Sequence, residues 1–184
     1  MSRLPALKPH QLDDAQRKVH DSIAGARGSV GGPFPVLLAN ADLASRVEQL
    51  GAYLRYQCHV PHALRELAII TIAAFAKADY EWHAHAAIAL KAGIAPGIVE
   101  SIGLGQEPVF DDAAQALIHR FTRQLLEQQR PDEATFAAAR AVLGEVGVLD
   151  LATLVGYYTL LAFVINTAEV DVPASSDIPW RRGA

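Results

Sequence analysis

Apolar positions recur at three- and four-residue intervals along most of this chain, and no segment shows the sustained two-residue alternation of a strand bounded by hairpin turns. The pattern predicts an all-α fold of about seven to eight helices. Leu12, Val19 and Ile23, with Asp13–Asp14 between the first two, mark a first helix closing near Gly25 and Gly28. In "GSVGGPFPVLLANADLA" two prolines, expected to be excluded from a helix, flank Phe34 ahead of three further apolar residues, which predicts an ordered loop pressed onto an apolar surface. A second helix is expected over Asp42–Gln57 and a third over His62–Lys77, the latter apolar almost all round after Glu66 and therefore central. A fourth, with Asp79 as its expected N-cap, ends at Gly93, and a short helix follows from Pro96. Three more are expected at Asp111–Gln128, Asp132–Leu143 and Leu149–Thr167, before a proline- and serine-containing tail over 170–184 anchored by Trp180.

Composition narrows the class. The chain has 184 residues, 51% hydrophobic and 20% charged, which predicts one packed domain over 1–184 with a flexible or partner-contacting tail. A formal net charge of −4 argues against phosphate-rich partners, so nucleic-acid binding is not expected. The apolar runs fall short of the ~20 residues that span a bilayer, and no membrane partner is expected. Cys58 is the only cysteine, and the first residues lack a signal-like apolar stretch, so a reducing, cytoplasmic setting is expected.

Candidate chemistry is concentrated in "ADYEWHAHAAIALKAG" and the helix before it. Glu81 and His85 stand four apart and share a helical face, whereas His83 points away from it. The two histidines of "HAH" therefore do not form the i, i+4 pair of a helical zinc site, no HExxH occurs, and no metal site is expected. Glu66 shares its side with Ile69, Ile70 and Ala73, which makes it either a first-turn glutamate with its head in water or a desolvated carboxylate fit to hold a proton. Trp82 reads as core or interface, Cys58 as a small buried hydrophobe, and His59 and His62 as exposed loop residues beside Pro61.

The stretch "LRELAIITIAAFAKADYEWHAHAAIALKAGI", with "LPAL", "GPFPVLLANADLA" and the closing helices, resembles the carboxymuconolactone decarboxylase and AhpD-like superfamily, in its longer, decarboxylase-type members. The peroxidase branch of that superfamily carries a glutamate, a cysteine twelve positions on, a second cysteine three later and a histidine four beyond. Here those positions hold Glu66, Ala78, Glu81 and His85, so both redox cysteines are absent. The resemblance implies an all-α oligomer, a trimer or hexamer, and a pocket lined by Glu66, Glu81 and His85. It also implies cofactor-independent proton transfer on a small organic acid or lactone. In that reading His85 is the acid or base, Glu81 orients it, and Glu66 donates or relays a proton, while Phe34, Cys58 and Trp82 are the expected pocket lining. The alternatives are a hydroperoxidase that uses Cys58, and a non-catalytic oligomeric protein that binds a small molecule.

Overall fold

The computed structural model describes residues 3–182 and shows helices without strands among them. Eight α-helices follow in order: α1 Asp14–Arg27, α2 Phe34–Leu37, α3 Ala41–Tyr56, α4 His62–Ala76, α5 Asp79–Lys91, α6 Pro96–Leu104, α7 Ala113–Gln128 and α8 Glu133–Ala168. The chain groups into two compact units. One holds the residues up to Cys58 together with Val164–Asp171, and the other holds His59–Phe163 together with the segment from Val172 onward.

In the first unit, α1 begins at the capping box of Asp13 and Gln16 and stops at Gly28, whose φ of 78° a glycine adopts without strain. The loop expected around Phe34 is instead a single helical turn. Pro35 fits there because it occupies the first turn, where a backbone N–H has no intrahelical acceptor in any case. Asn40 caps α3, and Ile23, Leu38, Ala44 and Leu54 are buried.

The second unit is organised by α4, which has only two charged residues and contacts α5, α6 and α7. Lys77 ends it in the left-handed conformation, with the Ala78 N–H donating to Ala73 O at 2.9 Å in a Schellman-like stop. The two-residue connection Lys77–Ala78 folds α5 back against α4, and Leu67, Ile70, Ala73, Trp82, Ala89, Ile98 and Ile102 form a shared core. Asp79 is not the cap of α5 but its first residue; its carboxylate accepts from Trp180 Nε1 at 2.8 Å and pairs with Arg181. The final described turn, Pro179–Arg181, thereby packs on this unit, with Ile178 and Pro179 buried.

The two closing helices expected from sequence are the two parts of α8, which meet at a sharp kink at Gly144, whose non-helical φ of 71° and ψ of 176° lie in a region open to glycine. By length and composition α8 could cross a membrane, yet 56% of its most apolar window is buried within the chain, which suits a core helix.

Gly103 measures how closely the last turn sits. A Cβ added there meets Pro179 Cγ at 2.6 Å and the Trp82 indole at 2.8 Å. Gly103→Ala is expected to cost about 1–3 kcal/mol, from overpacking partly offset by better helix propensity, as measured by urea unfolding.

Candidate functional site

The site is built on the α4–α5 pair. Glu66 lies one turn into α4, and His85 lies in the middle of α5, four residues after Glu81. Helical spacing puts Glu81 and His85 on one face, and the turn at Lys77–Ala78 brings that face to Glu66. His85 Nδ1 is 2.7 Å from Glu66 Oε2, and His85 Nε2 is 3.4 Å from Glu81 Oε2. All three residues are buried, at 4–5% exposure.

The short contact orients the imidazole. A Glu66 carboxylate accepts the Nδ1–H, which leaves Nε2 as the nitrogen able to take up or release a proton toward Glu81. The Tyr158 ring on α8 meets the His85 ring edge-on at a centroid distance of 5.3 Å, and Tyr157 packs on Tyr158 at the same distance. Rotation of the imidazole is therefore resisted by a carboxylate and by an aromatic wall.

Two residues expected to be plain loop histidines have specific partners. His62 is the first residue of α4, with Nε2 3.6 Å from Glu66 Oε1, so Glu66 lies between a buried imidazole and one whose side chain is 56% exposed. At that distance a small movement or one water completes the connection to solvent. His59 places both its backbone N–H and Nδ1 within 2.9 Å of Asp150 Oδ2, a carboxylate buried on α8. The only sequence signal for His62 was its position four before Glu66; Asp150 and Tyr158 are distant in sequence and left none.

The other expected residues are placed as follows. Trp82 lies in the core, edge-on to Trp180 at a ring-centroid distance of 5.3 Å. Phe34 is buried in the first unit under the Arg27 guanidinium, 4.7 Å from the ring centroid. Cys58 is half-buried in that unit, its Sγ–H donating to Leu54 O at 3.0 Å. Among the described residues no group of three or more His, Cys, Asp or Glu side chains has the geometry to hold a metal ion.

Comparison with known proteins gives one family and a set of related folds. The family model described as the carboxymuconolactone decarboxylase family matches residues 41–120, a segment that contains Glu66, Glu81 and His85. No curated protein sequence matches the chain. The fold is similar to an alkylhydroperoxidase AhpD core, a peroxidase-related protein from Ralstonia eutropha JMP134, with TM-score 0.75, 18% identity, and 94% of this chain and 93% of that one covered. A peroxidase-related protein from Silicibacter sp. TM1040 gives TM-score 0.73 and 16% identity, covering 95% and 92%. A form of the debrominase Bmp8 in complex with 2,3,4-tribromopyrrole gives TM-score 0.71 and 17% identity, covering 95% of each chain.

Proposed function

We propose that this chain, whose residues 41–120 match the carboxymuconolactone decarboxylase family model, is an enzyme of that family that moves protons on a small organic acid or lactone. The observation that carries the reading is the buried imidazole of His85 held between two buried carboxylates, Glu66 at 2.7 Å and Glu81 at 3.4 Å. A buried acid–base array of this kind costs stability unless its members are paired, and it is suited to hold a proton that can be transferred.

In a decarboxylation the C–C bond electrons pass to the lactone carbonyl as CO₂ leaves, and the resulting dienolate takes a proton at carbon. His85 Nε2 supplies that proton, Glu66 stabilises the imidazolium before transfer, and Glu81 holds the proton on the side facing the substrate. Nδ1 keeps its proton toward Glu66 throughout, so Nε2 regains its proton from solvent on the Glu81 side once product leaves. Two carboxylates against one imidazole disfavour a second anion, so the reacting carbon or lactone carbonyl faces them rather than any carboxylate the product keeps. The debrominase neighbour, whose structure contains a small halogenated ring, supports adding such rings to the substrate panel.

The test assays the protein and its Glu66→Gln variant against lactones, keto acids and halogenated ring compounds. Glu66→Gln keeps the shape but cannot carry the balancing charge, and is expected to lower kcat on the order of 10²-fold while KM changes little. No turnover by the native protein on any member, together with a ligand-induced rise in Tm, overturns the proposal in favour of a binding protein. Cys58→Ser is expected to leave turnover unchanged, because the Cys58 thiol is held by a backbone carbonyl and both motif cysteine positions hold other residues. A loss of hydroperoxide reduction in that variant points to the thiol chemistry instead.

A further inference from the structure

A polar cavity lies apart from this array, within the same unit, where the end of α4 and the α6–α7 connection meet α7. It has a volume of about 210 Å³ and is lined by Thr71 from α4 and Lys77 just past its end, Gln106 and Glu107 from the connection, and His119 and Arg123 from α7. His119 is 6% exposed and its ring packs on Phe110 at a centroid distance of 5.3 Å. The imidazole lines the cavity beside Arg123, four residues further along α7. Among the described residues, the buried side-chain atoms left without a partner do not include its ring nitrogens, so the imidazole reaches the open space of the cavity, where an entering ligand can meet it.

We propose that the cavity at His119 is a binding site for a small oxyanion, a carboxylate or phosphate group, received by Arg123, Lys77 and the imidazole. Arg123 offers planar paired donors and Lys77 a mobile point charge. The present partner of Arg123 is Glu127, a half-exposed carboxylate four residues along the same helix, so an arriving anion replaces a surface contact of small value. Lys77 already leans over the Trp180 ring at 5.0 Å, next to the cavity. Since liquid water takes ~30 Å³ per molecule, the space holds an anionic group of a few heavy atoms.

The site is also coupled to a proton. Burial holds His119 below the ordinary histidine range; Glu107 and Glu127 act against this, and Arg123 adds to it. As pH falls through the unfolded value of about 6.5, the unfolded chain gains a proton that the folded chain resists, so stability declines on acidification. An oxyanion beside the ring favours the imidazolium, so anion binding tightens as pH falls and returns the lost stability.

The experiment uses the full chain with ¹⁵N-labelled histidine. Its ring resonances are followed while acetate or sulfate replaces chloride at constant ionic strength, near pH 6 and near pH 8. His119, out of seven histidines, is expected to show the saturable shift, with an apparent affinity about tenfold higher at the lower pH. Acetate acting without sulfate identifies a carboxylate site, and sulfate acting without acetate a phosphate-like one; either result supports the proposal. Lys77→Gln with Arg123→Gln, both at exposed or half-buried positions, is expected to weaken binding at least about tenfold while the other imidazole resonances keep their positions. A His119 resonance that ignores both anions, or a response undiminished in the double variant, overturns the proposal.

Discussion

Replacing His85 with glutamine is expected to lower kcat by about 10²–10⁴-fold, with KM changed far less, in the assay that reveals native turnover. Glutamine can still donate a hydrogen bond to Glu66, so the 2.7 Å contact has a substitute and the α4–α5 packing is retained. What it cannot do is take up and release a proton at the atom that now faces Glu81 at 3.4 Å. The loss should therefore appear in the chemical step, and the limb of the pH–rate profile that reports the imidazole should flatten. A variant with native kcat and an unchanged profile would show that His85 only packs against Tyr158. Circular dichroism and urea unfolding of the same preparation separate a chemical loss from a folding loss.

The second large effect is structural. Trp82→Ala is expected to destabilise the protein by about 3–5 kcal/mol in urea unfolding, the range for truncating a buried aromatic. Trp82 is 3% exposed, lies edge-on to Trp180, and presents its six-membered ring to Gly103. Its removal leaves a void shared by α5, α6 and the Pro179–Arg181 turn, which cannot all collapse at once. Trp82→Phe keeps part of the contact and should lose clearly less. A Trp82→Ala cost below about 1 kcal/mol would mean that the ring contributes little to the core, and would return it to consideration as a ligand platform.

Trp82 shows how the sequence could be read and where that reading stopped. Its spacing from His85 placed both on neighbouring positions of one helix, but spacing does not reveal what lies opposite each ring. The structure sets Tyr158 against His85 and Trp180 against Trp82. Both partners are more than seventy residues away, so no local pattern announces them. The expectation that Pro35 excludes a helix failed for a local reason, since a one-turn helix consists almost wholly of the first-turn positions where proline is accepted. Asp79 went from expected cap to first helical residue because Trp180 and Arg181 occupy its carboxylate.

By itself the sequence determined the helical class, most helix boundaries to within a residue or two, and the shared face of Glu81 and His85, because each follows from the 3.6-residue period and from local capping chemistry. It also determined that cysteines are missing at Ala78 and Glu81. Only the tertiary structure decided that Glu66 is a buried partner of His85 rather than a solvated first-turn charge, that His62 reaches its other oxygen, and that His119 lines a polar cavity with Lys77 and Arg123. Desolvation and hydrogen-bond partnership depend on which helices meet across the core, and that meeting is set by packing between segments distant in the chain.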